Sequence, residues 1–318
     1  MPARNEIQEE IQRRKASSQD EVRREYLKEL AKLTERDTIL YASAFSSPTM
    51  PQIPGIILTI TQDDIQGFMS ALHGLSGKSL DLILHSPGGS MEAADQIVQY
   101  LRAKYQHIRA IIPQNAMSAA TMIACACDSI IMGKHSAIGP IDPQVTFPTA
   151  TGTFTAPAQA ILDEFEQAKR EIKQDPSTIP LWASKIQAYP HGFLQLCTTT
   201  LNLAKEKVSE WLSLYMLHDD PERDRKSKEI ARWLGDAKEH KTHGRPINFK
   251  QAIDHGLKVE LLEADQNFQE TVLSVFHAAM VTFQITQCVK MVENQNGRGL
   301  YTQIQLQAIP VPTRGAGG

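Results

Sequence analysis

The chain has 318 residues and little of what marks several other protein classes. Its four cysteines are too few for a disulfide framework. Lys and Arg (33) do not outnumber Asp and Glu (36), so no basic surplus predicts binding to nucleic acid. No window approaches the roughly 20 apolar residues that a membrane span needs, and the charged first 30 residues lack the apolar centre of a signal peptide. These absences predict a soluble, cytoplasmic protein without an integral membrane segment.

Metal and cofactor chemistry has equally little support. Cys125 and Cys127 in "IACACDSII" have C-x-C spacing, which favours small core residues over a zinc site. His240 and His243 in "EHKTHGRP" are three residues apart, which suits two metal ligands on a helix. No third ligand is evident, and the charged surroundings favour a solvated segment. We therefore expect no metal and no cofactor.

What is present is an ordinary globular composition, 42% hydrophobic and 22% charged, with a clear order of elements. Residues 1–36 predict a charged, solvent-exposed helix that is either an arm for oligomer contacts or simply a solvated face. From Asp37, the apolar runs "TILYASAF", "GIILTI", "LDLILHS", "IRAIIP" and "SIIMG" predict strands. Helical patterns such as "MEAADQIVQYLRAKY" alternate with them, which indicates an α/β fold with a parallel sheet.

The second half predicts mostly helices. The Thr- and Pro-rich "VTFPTATGTFTAPAQ" predicts an extended loop or a β-excursion, and several helical patterns follow it. Residues 267–292 predict one amphipathic helix, with a loose tail behind it. The predicted units are thus an arm (1–36), an α/β domain (37–264) and a C-terminal helix with a flexible tail (265–318).

Two turns after predicted strands carry the candidate chemistry. "HSPGGSMEAA" opens one helix with Gly88 and Gly89, and "PQNAMSAATMIA" opens another with Ser118 among small residues. Ligands of open α/β sheets bind beyond the carboxyl ends of the strands. A serine there can attack a carbonyl while the N–H groups of Gly89 and Ala119 hold the oxyanion. In the competing interpretation, Ser118 is only an N-cap and the glycines only form a tight turn.

Three motifs in this order resemble a known family. "LILHSPGGSMEAADQI", "AMSAATMIACACDSIIMGKHSAIGPIDPQ" and "GRPINFKQAIDHGLKVELL" are similar to segments of Clp-fold serine peptidases, including the Clp proteolytic subunit and signal peptide peptidase A. The match looks closest to the serine dehydrogenase proteinase family and spans roughly residues 55–262.

The resemblance implies an ATP-independent serine peptidase on a ClpP/crotonase-like spiral of β-β-α units. It makes Ser118 the nucleophile, with Gly88, Gly89 and Ala119 as the oxyanion hole and substrate-binding backbone. It implies a peptide or protein substrate, which pairs with the strand of the Gly-Gly turn by β-addition. It also implies a homo-oligomer, ring-like or dimeric.

The general base stays open. Where the Clp proteolytic subunit has its histidine, this chain has Asp142 in "GPIDPQ". Signal peptide peptidase A instead uses a lysine roughly fifty residues beyond its serine. The resemblance therefore points to Lys169 or, one helical turn later, Lys173. A lysine base needs desolvation to lower its pKa.

The surroundings of these lysines argue the other way. Glu166 and Glu171 lie beside Lys169 and Lys173 in "EFEQAKREIKQ" and favour the charged ammonium form. A solvated helix with ion pairs explains the same sequence. The further candidates for the base are two neighbours in "GKHSAIG", Lys134 and His135.

Two other functions compete with a peptidase. One is a catalytically inactive Clp-fold scaffold that binds partners, because the family's histidine is missing. The other is a crotonase-like acyl-CoA enzyme, which uses a similar oxyanion hole but generally lacks a serine at the position of Ser118. His85, just before Ser-Pro-Gly-Gly, either contacts substrate or only ends its strand.

Overall fold

A seven-stranded sheet lies at the centre of the fold, with two smaller sheets beside it. The computed structural model describes residues 7, 18–47, 55–149 and 152–304. In chain order the strands are β1 (Asp37–Ser43), β2 (Ser79–His85), β3 (His107–Ile112), β4 (Asn115–Ala116), β5 (Ser129–Met132), β6 (Ala137–Ile138), β7 (Gln144–Thr149), β8 (Gly152–Pro157), β9 (Ile247–Asn248), β10 (Val259–Leu261), β11 (Cys288–Asn294) and β12 (Gly299–Gln303). The large sheet has the order β10-β5-β3-β2-β1-β11-β12. Its strands run parallel from β10 to β1, and β11 and β12 continue it antiparallel.

Helices connect and cover these strands. In chain order they are α1 (Ser18–Thr34), α2 (Gly55–Leu58), α3 (Asp63–Leu72), α4 (Met91–Lys104), α5 (Ala119–Cys125), α6 (Ala158–Gln174), α7 (Ile179–Gln187), α8 (Phe193–Trp211), α9 (Arg223–Leu234), α10 (Ala237–His240), α11 (Phe249–Asp254) and α12 (Gln266–Ile285). Single 3-10 turns span Ala44–Ser46, Pro176–Thr178 and Leu262–Ala264, and a π-helical turn spans Leu212–Met216.

The parallel strands are apolar because helices cover both faces of the sheet. Leu82 of β2 belongs to a core cluster that includes Ile97 of α4. Its neighbour Ile83 points the other way, into a second cluster that includes Val275 of α12. Alternating strands and helices with this two-sided burial confirm the predicted α/β fold.

The Thr- and Pro-rich segment is a β-hairpin, the second of the two predicted forms. Strands β7 and β8 pair antiparallel and bring Phe147 opposite Phe154, with their rings 5.5 Å apart. The hairpin leads directly into α6, the first helix of the predicted helical second half. Phe147 also packs edge-on against Phe193 of α8, so the hairpin is anchored on that half.

The prediction of a strand at "GIILTI" is wrong. Gly55–Leu58 forms the short helix α2, and Ile60 alone pairs with another segment, at Gly89. A short apolar run does not distinguish a strand from a buried turn of helix by its pattern. Strand β1 pairs with β2 on one side and with β11 on the other, so the large sheet has no position beside β1 for residues 55–60.

The prediction of a single helix over 267–292 is also wrong at its end. Helix α12 ends at Ile285, and residues 288–294 form β11 along β1. Residues 299–303, expected to be part of a loose tail, form the edge strand β12, whereas residues 305–318 lie outside the described residues. The apolar residues of 288–292 suit either a helix or a strand, and pairing with β1 stabilises the strand.

Helix α1 is not the solvent-exposed helix that its charges predict. Val22, Leu27 and Leu30 are fully buried, and the helix packs on α12. Apart from Ile7, the residues before Ser18 lie outside the described ranges. The division of the chain at 36 and 264 stays a prediction, although α1 and α12 share the core cluster that covers one face of the sheet.

A buried ion pair joins α1 to the antiparallel edge of the sheet. The Arg23 Nε atom lies 2.6 Å from Glu293 Oε2, and both side chains are fully buried. Arg24 Nε reaches the other carboxylate oxygen at 2.6 Å, and Arg23 also donates to Asp20 and Thr282. Glu293 is therefore the buried counter-charge that two guanidinium groups share, one of them fully buried and the other half-buried.

Replacing Glu293 with glutamine should destabilise the fold by about 3–5 kcal/mol, because Arg23 would stay buried without its main counter-charge. The free energy of unfolding in urea measures this effect. The matched control is Glu29→Gln on the exposed face of α1, which should change that free energy by less than about 0.5 kcal/mol. Equal effects of both changes would contradict the role given to Glu293.

Candidate active site

The two turns singled out in the sequence meet beyond the carboxyl ends of β2 and β3. Two backbone hydrogen bonds join them: Ser86 N donates to Asn115 O at 3.1 Å, and Met117 N donates to Ser86 O at 3.0 Å. The Gly-Gly turn and Ser118 are therefore parts of one site, as the sequence predicts for neighbouring parallel strands.

Glycine is required at 88 and 89 because other backbone segments lie against both residues. A Cβ atom on Gly88 would lie 2.5 Å from the Met117 carbonyl oxygen and 2.6 Å from Ser118 Cβ. One on Gly89 would lie 2.4 Å from the backbone of Ile60. Both residues also have positive φ, +92° and +149°. The protein's own chain therefore occupies the space in which a side chain at either position would have to lie.

Ser118 has a strained backbone. Its φ of 53° and ψ of −119° lie outside the regions that non-glycine residues ordinarily adopt. The hydroxyl of Thr121 holds the turn, donating to Ala116 O at 2.8 Å and accepting from Gly139 N at 3.0 Å. Ser118 is not an N-cap by hydrogen bonding, because its side chain accepts no bond from the start of α5.

Ser118 lines a cleft of about 420 Å³, which we call the Ser118 cleft. Its walls come from the Gly-Gly turn, the start of α4, the segment after β6 and the middle of α8. Its lining includes Gly89, Ser90, Glu92, Ser118, Ala119 and His243. The cleft is of the size that binds a few side chains or a small ligand.

Two backbone N–H groups of the cleft suit an oxyanion. Gly89 and Ala119 both line it. Among the described residues, neither N–H has an acceptor in the protein. Ser86 and Ile60 hold the backbone around them, so the two donors are fixed before any ligand arrives.

The structure does not bring the predicted lysines to the cleft. Lys169 and Lys173 lie on exposed parts of α6. Lys169 Nζ is 2.8 Å from Glu166, and the Lys169 side chain is 59% exposed. Neither lysine belongs to the described lining of the cleft. The amphipathic helix α6 buries Ile161 and Ala168 and turns its charges to solvent, which is why both lysines face outward.

Lys134 and His135 also lie away from the cleft. Both are exposed in the loop after β5. The backbone N–H of Lys134 donates to Glu263 at 2.9 Å, and His135 Nε2 lies 2.9 Å from Pro113 O. These two contacts hold the loop that carries both residues.

Sequence reasoning missed a histidine–aspartate pair in the cleft. His243 Nδ1 lies 2.8 Å from Asp142 Oδ1. Asp142 is 2% exposed, and Gln144 Nε2 donates to its other oxygen at 2.8 Å. The two residues are far apart in sequence, so only the letters "GPIDPQ" and "THGRP" offered a signal.

His240 does not join His243 as a second metal ligand. Its ring is buried, and its Nε2 lies 2.8 Å from the carbonyl oxygen of Trp233. His243 instead faces Asp142, so the two imidazoles have different partners. Within the described ranges, no three His, Cys, Asp or Glu side chains gather as a metal site.

Sequence reasoning also missed a buried ion pair that holds the segment of Thr59, a residue that lines the cleft. Lys290 and Asp64 form a buried ion pair of 2.8 Å, and Lys290 Nζ also donates to Thr59 O at 2.9 Å. Asp64 accepts from the Tyr41 hydroxyl and from Thr61 N, both at 2.8 Å. These bonds hold the segment that pairs with Gly89.

His85 ends β2 on the face opposite the cleft. Its Nε2 lies 2.9 Å from Ser46 Oγ, and its ring packs between Phe45 and Phe276. Burial lowers the pKa of His85 to about 3, because the apolar surroundings disfavour the charged ring. Of the two roles expected for His85, ending the strand fits this packing.

The fold and the site together define a ClpP-like α/β protein, as the motifs predicted. The chain belongs to the family of ClpP-like SDH-type serine proteinases, whose family model matches residues 11–292. Within the described residues, no helix combines the length and the apolar character that crossing a membrane requires.

Two curated relatives come from Methanocaldococcus jannaschii. The uncharacterized protein MJ0137 is 32% identical over 203 residues, which are 63% of this chain and 60% of that protein. The uncharacterized protein MJ1495 is 32% identical over 180 residues, 57% of this chain and 51% of that protein. The matched part of the chain thus spans less than two thirds of either relative.

Two solved structures are similar in part. One is a serine-to-alanine mutant of the 1510-N membrane-bound stomatin-specific protease, with 16% identity and a TM-score of 0.39, covering 67% of this chain and 79% of that one. The other is a lysine-to-alanine mutant of the same protease in complex with a substrate peptide. It has 16% identity and a TM-score of 0.38, and covers 78% of this chain and 86% of that one.

Adding a methyl group at Gly88 should disrupt the Ser118 turn. We expect Gly88→Ala to cost about 1–3 kcal/mol from the clash and about 1–2 kcal/mol more from its positive φ. Unfolding in urea measures the loss. Gly55→Ala is the control, because a Cβ there meets nothing within 4 Å. A Gly88→Ala protein as stable as this control would contradict the packing described for the turn.

Acid should destabilise the fold through His85. The unfolded chain takes up a proton near pH 6.5, whereas the folded ring does so only near pH 3, so stability is present above about pH 6.5 and falls as the pH decreases. At pH 5 the loss is about 2 kcal/mol. Between pH 7.5 and pH 5, the free energy of unfolding of His85→Leu should therefore fall by about 2 kcal/mol less than that of the wild type. An unchanged pH dependence would contradict the burial of a neutral ring.

Proposed function

We propose that this protein is an ATP-independent serine peptidase that cleaves peptide bonds through an acyl-enzyme on Ser118. The observation that carries the proposal is the strained serine, which lines a cleft together with two backbone N–H groups that have no acceptor in the described part of the chain. Membership of a serine proteinase family supports the same reaction class.

Each part of the cleft has one role in this reaction. The Ser118 oxygen attacks the carbonyl carbon of the scissile bond. The N–H groups of Gly89 and Ala119 hold the oxygen that becomes negatively charged, and each such donor contributes roughly 3–4 kcal/mol to the transition state. Gly88 and Gly89 hold this geometry, because larger residues would push apart the Ser118 turn and the segment of Ile60.

The substrate in this proposal is an extended peptide. One edge of the Gly-Gly turn already pairs with Ile60, so a peptide that adds to this turn has to approach from the cleft side. The substrate is thereby expected to place its scissile carbonyl between Ser118 and the two N–H groups. A cytoplasmic location and a homo-oligomer complete the proposal as predictions from the sequence.

Labelling with a fluorophosphonate probe tests the nucleophile. The wild-type chain should be labelled covalently, and Ser118→Ala should lose labelling by roughly a thousandfold or more. The same variant should lose ATP-independent hydrolysis of fluorescein-labelled casein, because no acyl-enzyme can form. Quantified probe fluorescence after electrophoresis and the release of labelled peptides are the two measurements.

Ser90→Ala is the matched control. Ser90 lines the same cleft, but its oxygen caps α4 by accepting from Ala93 N at 3.1 Å. Its loss should cost about 1 kcal/mol of stability and leave labelling in place. A folded wild-type protein that takes up no probe and cleaves no casein would contradict the proposal and favour the scaffold.

A further inference from the structure

We propose that the buried pair of Lys290 and Asp64 positions the Gly89 N–H group for the oxyanion, so that strand β11 takes part in the site. The inference rests on the proposed peptidase function, because the oxyanion forms only in that reaction. It gives a role to a strand beyond residues 55–262, the part of the chain that carries the motifs. Both members of the pair are positioning residues, since neither belongs to the described lining of the Ser118 cleft.

The pair is almost completely removed from solvent. Lys290 is 3% exposed and Asp64 is 2% exposed. Lys290 Nζ lies 2.8 Å from Asp64 Oδ1 and 3.0 Å from Oδ2, and it also donates to Thr59 O at 2.9 Å. A buried ammonium group needs acceptors for its hydrogens, and these contacts supply them. The lysine therefore fixes the position of the Thr59 carbonyl relative to β11.

The same pair holds both ends of a three-residue segment, from Thr59 to Thr61. Lys290 holds the Thr59 carbonyl, and Asp64 Oδ2 accepts from Thr61 N at 2.8 Å. The two side chains come from β11 and from the start of α3. The backbone of residue 60, in the middle of the segment, is thereby held on both sides.

Ile60 connects this segment to the Gly-Gly turn. Its N–H donates to Gly88 O at 2.7 Å, and its carbonyl accepts from Ser90 N at 2.9 Å. These bonds lie on either side of Gly89, whose own N–H has no acceptor among the described residues. A Cβ atom on Gly89 would lie 2.4 Å from the Ile60 backbone, so the two segments are in direct contact. A shift of Ile60 therefore also moves the Gly89 N–H group.

A second route leads from Asp64 to the same turn. Asp64 Oδ2 also accepts from the Tyr41 hydroxyl at 2.8 Å. Burial, and after it the charge of Asp64, raises the pKa of Tyr41 well above its usual value, whereas the Ser86 hydroxyl beside the phenol acts in the opposite direction. Ser86 Oγ in turn accepts from Gly88 N at 3.2 Å. Asp64 thus supports the turn through β1 and β2 as well as through the segment of Thr61.

The two faces of β11 have different roles. Val292 belongs to the core cluster on the side of α4 and α5, and Met291 belongs to the cluster on the side of α12. Because side chains alternate along a strand, Lys290 shares the face of Val292. Glu293 lies on the other face, where it binds Arg23 of α1. The role of Lys290 at the cleft is therefore separate from the ion pair that holds α1.

Stability alone does not account for such a pair. An apolar pair of similar volume is often as stable as a buried ion pair. It cannot, however, bind the Thr59 carbonyl and the Thr61 N–H at fixed positions. Loss of one oxyanion donor lowers the rate of the chemical step about 100- to 1,000-fold, and displacement of a reacting group by about 1 Å costs about 100-fold. Substrate binding, which the rest of the cleft provides, is expected to change little.

The test is fluorophosphonate labelling of the full chain with Asp64→Asn and Lys290→Met combined. The double change removes both charges, so that no buried charge is left unpaired, and it removes the bond to Thr59 O. We expect the maximal labelling rate at saturating probe to fall about 10- to 100-fold, because the probe's phosphoryl oxygen takes the place of the oxyanion. The probe concentration that gives half of this rate should change less than about twofold.

The matched control is the double change Asp128→Asn and Arg102→Met. This pair is 2.9 Å long, and its side chains are 9% and 7% exposed. Asp128 directly precedes β5, at the end of the parallel strands opposite the cleft. Both labelling parameters should stay within about twofold of wild type, because no transition-state contact depends on this pair. Circular dichroism under the assay conditions shows whether each variant is folded.

Tyr41→Phe tests the second route and keeps the ion pair. It removes only the hydroxyl that joins Asp64 to the side of Ser86. The maximal labelling rate should fall about fivefold, as expected for the loss of one neutral hydrogen bond, with the half-saturating probe concentration unchanged. This variant decides the question if the Asp64→Asn and Lys290→Met chain does not fold.

The outcomes distinguish the two proposals. A lower maximal rate at an unchanged half-saturating concentration, absent from the control pair, supports the inference. Wild-type kinetics in the folded double variant overturn it, and so does an equal loss in the control or a change confined to the half-saturating concentration. In each of these cases labelling that depends on Ser118 still supports a peptidase. Absence of labelling in the wild type overturns the peptidase itself, and the inference with it.

Discussion

The site depends on the close approach of backbone segments around two glycines. The turn after β2 lies against the Ser118 turn on one side and against the Ile60 segment on the other, at distances that no Cβ atom allows. These segments are joined by hydrogen bonds from Ile60 N to Gly88 O and from Ser90 N to Ile60 O. The N–H groups of Gly89 and Ala119, two residues that line the cleft, have no acceptor among the described residues. The same contact that requires glycine thus leaves two backbone donors available for the oxyanion in the proposed reaction.

The rest of the fold keeps this contact rigid from both faces of the sheet. Helices α4 and α5 cover the side of the cleft, and α1 and α12 cover the opposite side. Buried charges tie the outer elements in place: Arg23 with Glu293 at the antiparallel edge, and Lys290 with Asp64 beneath Thr59. A partly satisfied buried charge is costly, so each pair also limits which arrangement of the elements is stable.

The sequence predicted the parallel α/β core, because apolar runs between helical patterns admit few other folds. It also predicted that Ser118 and the two glycines belong to one site, since the carboxyl ends of neighbouring parallel strands meet at one edge of the sheet. It did not predict β11, because a short apolar run after a helix suits both states until β1 offers it a partner. It wrongly predicted that α1 is exposed to solvent, because the many charged residues around Val22 and Leu30 obscured the apolar face that the structure buries.

The sequence by itself determined the class of fold, the family and the position of the serine, since these depend on local pattern and motif order. Only the tertiary structure decided which side chains share the cleft. It placed Lys169 and Lys173 in solvent, because α6 turns its apolar stripe inward. It placed His243 against Asp142, because β6 pairs with β9 and so brings together the segments that carry the two residues, which lie about a hundred positions apart. The pairing of distant strands is a property that no local pattern of the sequence contains.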